Sequence, residues 1–201
     1  QNFSWNVQNR GQYATWLYDI FTRDTHRDME QPYSRGRYYH LFLNGCYWGL
    51  YQTDERPEAN YGESYFGDDD EDYDIVKSTD AQVVEAIDGT LDSYYSLWTE
   101  INAGMSDNAD YYRIQGFNPD GTRNPGYTRL LDVENLIDYM ILVFYTADRD
   151  RPLGPPHSAG QPRNLYTIFS RSNPDGFQFI AHDAEHSMEI EQGVYHDRVS
   201  M

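Results

Sequence analysis

Apolar positions along this chain recur in two rhythms. From Gln12 to about Met29 they fall at helical spacing, with Trp16, Leu17, Ile20 and Phe21 forming one stripe; Pro32 and Gly36 end the run. Tyr38 to Leu43 and Cys46 to Tyr51 read as strands. Between them stand Asn44 and Gly45, which tolerate the positive φ a type I′ turn demands, so a tight hairpin is predicted. Its Trp48 and Tyr51 are expected to pack against a sheet. Tyr73 to Lys77 reads as a short strand and Leu91 to Ala103 as an amphipathic helix. Asn118 to Gly126 is a turn-rich insertion. Asp132 suits the cap of a longer helix, accepting from its free N–H groups. On that helix Val133, Leu136, Ile137, Met140 and Phe144 mark the face expected to be buried, and the pattern stops near Ala147. Asp148 to Gln161 is rich in Pro and Gly and reads as a loop. Asn164 to Phe169 and Phe177 to Ala181 then read as strands around an Asn173-Pro174-Asp175-Gly176 turn. Helices and strands mix without strict βαβ alternation, so the fold class is α+β.

Composition narrows the function classes. Fifteen Lys and Arg stand against 33 Asp and Glu, a net charge of −18. A nonspecific nucleic-acid binder needs a basic stripe to displace counterions, so that class is excluded. A small anionic ligand is not, because a bound divalent cation reverses the local sign. One cysteine, Cys46, permits no intrachain disulfide and no cysteine metal cage. No apolar run approaches the roughly 20 residues that cross a bilayer, so no membrane insertion is expected. The chain opens at Gln1 with neither initiator Met nor signal peptide, and is read as a piece of a larger protein. The acid run Asp68-Asp69-Asp70-Glu71-Asp72 lacks the alternate-residue spacing of a calcium-binding EF-hand loop, and reads as a solvated loop.

The stretch from Asp148 to Glu185 carries the chemistry. A long helix ends, Asp148-Arg149-Asp150 follows in a loop, Asn164 opens a strand, and Asp183 sits just after the returning strand. Rigid elements can therefore converge an Asp, an Asn and another Asp. Phosphoryl transfer uses such a set: one carboxylate orients a hydroxyl, while an amide oxygen and a second carboxylate hold Mg²⁺ against ATP phosphates. Mg²⁺ keeps water and phosphate ligands, so it needs few protein donors. Protein kinases use the same order, though Asp150 and Asn164 are 14 residues apart here, a wider spacing.

Two other readings are open, the first on these same residues. His182-Asp183-Ala184-Glu185-His186 matches H-x-x-E-H, an inverted zinc-peptidase signature, provided His182 and His186 share a helix face; Glu189, Glu191 and His196 are nearby as further ligands. Carbohydrate binding or hydrolysis is the other, since aromatic faces stack on sugars and carboxylate pairs cleave glycosides.

Several stretches together resemble one family. Ser34-Arg35-Gly36-Arg37-Tyr38-Tyr39-His40-Leu41-Phe42-Leu43-Asn44-Gly45-Cys46-Tyr47-Trp48-Gly49-Leu50-Tyr51, then Glu55-Arg56-Pro57, is similar to the signature hairpin of the spore-coat CotH kinase-like family. Tyr73-Asp74-Ile75-Val76-Lys77 resembles its next strand, and Leu131 to Met140 its long helix. The resemblance runs from Ser4 to about Met188. It implies an atypical protein-kinase-like fold, with a small antiparallel sheet lobe and a mainly helical lobe. Residues 1–57 would be the remainder of the N-lobe and hinge, and residues 58–201 the C-lobe. It further implies ATP with Mg²⁺ or Mn²⁺, a protein substrate such as a coat or surface component, and an extracellular or cell-surface place. A noncatalytic coat or adhesion protein on the same fold is the alternative.

Carried over by residue, Asp150 is the catalytic Asp, and Asn164 and Asp183 are metal ligands, with Glu185 as a second acid beside them. Glu55 falls at the hinge near the adenine, and Lys77 near the nucleotide mouth. Asp19 stands where an acid pairs with a phosphate-binding Lys that the family places before Gln1. The chain departs from the family at Arg151, where an aromatic is usual, and at Glu185, where the family has Asp.

Overall fold

A computed structural model describes residues 17–78, 84–148, 163–184 and 187–188. In chain order these form α1 (Tyr18–Asp28), β1 (Gly36–Leu43), β2 (Cys46–Asp54), α2 (Ala59–Phe66), a 3₁₀ turn (Asp70–Asp72), β3 (Tyr73–Ser78) and β4 (Val84–Asp88). Then come α3 (Asp92–Asn102), α4 (Asn108–Ile114), β5 (Arg129–Leu131), α5 (Val133–Thr146), β6 (Tyr166–Ser170) and β7 (Asp175–Phe179). The fold is α+β.

β1 and β2 form a two-stranded antiparallel sheet, closed where Leu43 faces Cys46. Asn44 at φ +50 and Gly45 at φ +81 supply the two positive φ angles of the I′ turn. The register slips between Leu41 and Phe42, leaving Trp48 as the extra residue of a β-bulge. Trp48 is 62% exposed and Tyr51 44%, so neither packs as expected. The physical reason is that, among the described residues, this ribbon is hydrogen-bonded to no further strand.

The larger sheet has the order β4-β3-β6-β7-β5, antiparallel except for the parallel β5–β7 pair. Alternation divides its side chains between two cores. Tyr73, Ile75, Tyr166 and Ile168, with Ile180 beyond the strand, pack with Tyr61 of α2 on one face. Val76, Phe169, Phe177 and Leu131 pack with Leu97 of α3 and Ile114 of α4 on the other. Gly62 lets α2 approach, since a Cβ there would strike the Tyr73 ring. The helical part of the chain is thus laid on a five-stranded sheet.

Two helix faces differ from expectation. On α1 the buried residues are Thr22, Arg23 and His26, while Leu17 and Phe21 of the apolar stripe are exposed; Trp16 lies outside the described residues. On α5 the buried face is Asn135, Tyr139, Leu142, Val143 and Thr146, and Ile137 and Phe144 face outward. Asp132 does cap α5, accepting from Asn135 N at 3.1 Å. Asn135 explains the rotation. Its amide oxygen accepts from Phe179 N at 2.6 Å and its Nδ2 donates to Phe179 O and to Gln31 Oε1. A side-chain amide thereby extends the pairing of β7 and satisfies backbone groups that burial would otherwise orphan.

Candidate active site

Two of the residues singled out for phosphoryl transfer, Asn164 and Asp183, lie at one end of the β6–β7 pair. α5 ends at Ala147, in the left-handed region at φ +51, and the chain turns into the buried Asp148. Asp150 follows, and lies outside the described residues, as do Glu185 and His186. Asn164 precedes β6 and Asp183 comes four residues after β7 ends. Asn164 Nδ2 donates to the Asp183 carbonyl oxygen at 3.1 Å, so the structure brings these two together. Both are left-handed, at φ +44 and +55. Asn and Asp are the non-glycine residues that best tolerate this region, which is why the sequence can place side chains there at all. Adjacent Leu165 is fixed to β3 by paired bonds: its N–H donates to Ser78 Oγ at 3.0 Å and its carbonyl accepts from Ser78 N at 3.1 Å.

Asp183, the second residue of the H-x-x-E-H motif, is left-handed at φ +55, while Glu185 and His186 lie outside the described residues. Left-handed backbone cannot continue a helix from His182, so the helix that would bring two histidines to zinc is not formed at its start. His182 instead sets its ring against Tyr166, centroids 5.0 Å apart. Burial pushes the Tyr166 hydroxyl far above its ordinary titration range.

Acidic groups surround this end. Ala184 N donates to Asp19 Oδ1 at 2.9 Å. Asp19 pairs with Arg23, four residues on along α1, at 2.7 Å, and Arg23 also reaches Asp54 at 3.1 Å. Among the described residues, Arg23 is a cation paired with Asp19. Burial, with Asp19 nearby, pushes the Asp54 carboxyl up, against the pull of Arg23 and of the Gln52 amide that donates to it. Tyr38 is pushed up too, by burial and then by Asp19 and Asp54.

Lys77 lies on β3 opposite Tyr166, at the same end of the sheet as Asn164. Glu55 follows β2. Its carboxylate accepts from Arg35 N at 3.0 Å, Arg35 Nη1 at 3.3 Å and Tyr65 Oη at 2.5 Å, while the Arg35 guanidinium lies 3.7 Å over the Tyr65 ring. Partial burial would raise its titration; the hydrogen bonds from Tyr65 and Arg35 outweigh that and hold it below the ordinary carboxylate range. In the acid run Asp69, Asp70 and Glu71 are exposed as expected, whereas Asp68 and Asp72 are half-buried and Asp68 Oδ2 accepts from Ser170 Oγ at 2.6 Å.

Among the described residues, no group of three or more His, Cys, Asp or Glu is placed to hold a metal ion. Among the described residues no helix is long and apolar enough to cross a membrane. A cleft of about 470 Å³, lined by Ser96, Arg113, Tyr127 and Arg171 among others, lies at the far end of β6, away from Asn164. Sequence reasoning missed Arg23 and Asp54. The i,i+4 spacing of Asp19 and Arg23 was a visible signal; nothing local pointed to Asp54.

No curated protein matches the chain. The family model described as CotH kinase protein does, over residues 4–199. That span takes in the bulged hairpin, the capped long helix and the strand pair that joins Asn164 to Asp183. With nearly its whole length covered, the chain belongs to the CotH kinase family.

Proposed function

We propose that the protein transfers the γ-phosphoryl group of ATP to a Ser or Thr hydroxyl of a protein substrate, in a metal-dependent reaction at an extracellular or cell surface. The observation that carries this is the Asn164–Asp183 contact at 3.1 Å, held by left-handed backbone at both residues. The donor set fits Mg²⁺ or Mn²⁺. An amide oxygen and a carboxylate are hard oxygen donors, and two protein ligands suffice for an ion that retains water and phosphate oxygens. Because Asn164 turns its NH₂ toward the Asp183 carbonyl, its amide oxygen is directed away from that contact.

A divalent metal bound here would supply neutralisation of phosphate charge. Asn164 and Asp183 would hold it, with Glu185 as an additional acid. Asp150 orients the acceptor hydroxyl and receives its proton. Lys77 lies near the nucleotide mouth and Glu55 at the hinge, with residues 1–57 and 58–201 forming the two lobes. The acids around Asp183 would repel bare ATP, so nucleotide would need a divalent metal bound with it or before it.

The test is ATP binding and turnover on the purified chain with Mn²⁺. Asp183→Ala is expected to lose metal-dependent ATP binding, whereas Asp150→Ala keeps binding and loses transfer. Unchanged metal-dependent binding in folded Asp183→Ala would sink this site.

A further inference from the structure

Three charges are buried together next to the proposed metal ligands. Arg23 is 3% exposed, and Asp19 and Asp54 are 13% and 11%. The Arg23 guanidinium lies between the two carboxylates, Nη2 at 2.7 Å from Asp19 and Nη1 at 3.1 Å from Asp54. Among the described residues Asp19 Oδ2, Arg23 Nη1 and Arg23 Nε have no aligned hydrogen-bond partner, so both links are chiefly electrostatic. Each carboxylate is anchored elsewhere. Asp54 closes β2, accepts from Gln52, and sits against Gly36, where any side chain would strike its Oδ1. Asp19 accepts from Ala184 N at 2.9 Å, the amide that directly follows Asp183. A continuous path therefore runs from the hairpin through Asp54, Arg23 and Asp19 to the backbone of Asp183.

We infer that Arg23 is a positioning residue of the phosphotransfer site: it holds Asp19 onto the Ala184 amide and so fixes Asp183 in the geometry that coordinates metal. The functional half of this rests on the proposed phosphotransfer reading. Without Arg23 two partly buried carboxylates lose the cation that pairs them among the described residues, which burial makes strongly unfavourable. One must protonate or swing away, and the Ala184 amide loses its acceptor. Left-handed backbone at Asp183 persists only while its surroundings over-determine it. Lysine is an imperfect substitute, because a compact ammonium does not span two carboxylates as a planar guanidinium does.

The experiment compares Arg23→Gln, Arg23→Lys and Asp54→Asn with wild type, using two readouts. One is amide hydrogen exchange at Ala184 without nucleotide. The other is the Mn²⁺ concentration that half-saturates ATP binding. Arg23→Gln is expected to speed Ala184 exchange and raise the half-saturating Mn²⁺ about tenfold or more, the usual effect of removing an outer partner of a metal ligand. ATP affinity at saturating Mn²⁺ stays near wild type, and Arg23→Lys recovers part of the shift. If Arg23→Gln does not fold, Asp54→Asn decides, with a smaller shift in the same direction. A folded variant with wild-type exchange and wild-type Mn²⁺ dependence overturns the inference. Faster exchange with unmoved Mn²⁺ dependence overturns it too, leaving Arg23 a structural role alone. A wild-type chain with no Mn²⁺-dependent ATP binding refutes the phosphotransfer reading instead; the exchange rate then upholds or overturns the hold of Arg23 on the Asp183 loop.

Discussion

Replacing Asn164 separates two contributions that the fold superimposes on one residue. Its backbone is left-handed at φ +44, and its Nδ2 donates to the Asp183 carbonyl at 3.1 Å. For an ordinary L residue that backbone region costs roughly 1–2 kcal/mol, a penalty that Asn largely escapes and Gly does not meet. The hydrogen bond contributes about 1 kcal/mol net. Asn164→Ala loses the bond and takes on the strain, so it should destabilise by about 2 kcal/mol. Asn164→Gly loses the bond without the strain and adds chain entropy to the unfolded state, for about 1–1.5 kcal/mol. In a chain of this length 1 kcal/mol moves the melting midpoint by roughly 2–4 °C. Thermal unfolding without metal or nucleotide should therefore place Ala about 4–8 °C below wild type and Gly roughly 2–6 °C below. Asn164→Asp is the third arm. It tolerates the backbone but sets a carboxylate oxygen against the Asp183 carbonyl, so it should melt with Ala at neutral pH and recover part of the loss in acid, where a protonated carboxyl donates. A Gly variant as unstable as Ala would refute the backbone argument, and a wild-type-like Ala would refute both.

Two further expectations follow from the same kind of reading. Gly89 is left-handed at φ +68, and a Cβ there would collide with the Tyr73 carbonyl oxygen and Asp74 Oδ1. That carboxylate accepts from Thr90 N and Arg171 Nη1. Gly89→Ala should thus destabilise by about 2–3 kcal/mol or more in urea unfolding, from backbone strain and a disturbed buried carboxylate; a loss under about 0.5 kcal/mol, the range of ordinary surface substitutions, would contradict this. The Glu55–Tyr65 bond predicts a pH dependence with two edges. Glu55 is held below the ordinary carboxylate value by Tyr65 and Arg35, against its burial, so its contribution is present above that value and lost as pH falls through the lower folded one. Tyr65 is held up by its bond to Glu55, so its contribution is present below the ordinary phenol value and lost as pH rises through the folded one. Glu55→Gln should flatten the acid edge of a melting-midpoint profile, and an unchanged acid edge would show that Glu55 does not contribute.

The hairpin was legible because two adjacent residues carried its backbone constraint. Asn44-Gly45 admits few conformations other than the one found. The cap of α5 was legible for a similar reason, a single Asp before an apolar run. Helix faces were not. α5 is apolar nearly all round, with Leu136, Ile137, Met140, Ile141, Leu142 and Val143 in close succession. Periodicity offers several stripes there, and the polar Asn135, by bonding the backbone of Phe179, selects the one that turns inward. On α1 the apolar stripe faces outward because Arg23 must meet two carboxylates, a demand that resides in Asp54 on another element. Short elements such as β4, β5, α2 and α4 give too few positions to establish a period. The Asn164–Asp183 meeting was legible from its strand–turn–strand setting; the ion triad behind it was not.

That meeting is fixed by register. Thr167 pairs with Phe179 and Ile168 with Gln178. Carrying this antiparallel pairing back to the start of β6 sets Asn164 opposite His182, next to Asp183. A slip of one residue would exchange the two faces of β6. Tyr166 and Ile168 would then leave the core they share with Ile75 and Ile180, while Thr167 and Phe169 would enter it. The core therefore excludes the slip: full burial of one large apolar side chain is worth roughly 1.5–3 kcal/mol, and several would be displaced at once. Alignment along the strands thus comes from packing on both faces of the sheet. The last step, from alignment to contact, is local: left-handed backbone at Asn164 and Asp183 turns each away from the strand direction, and Asp19 holds the amide that follows. The contact so made is from the Asn164 side-chain amide to the Asp183 backbone carbonyl. The core sets which residues are neighbours, and the backbone conformation and the buried charges set how they meet.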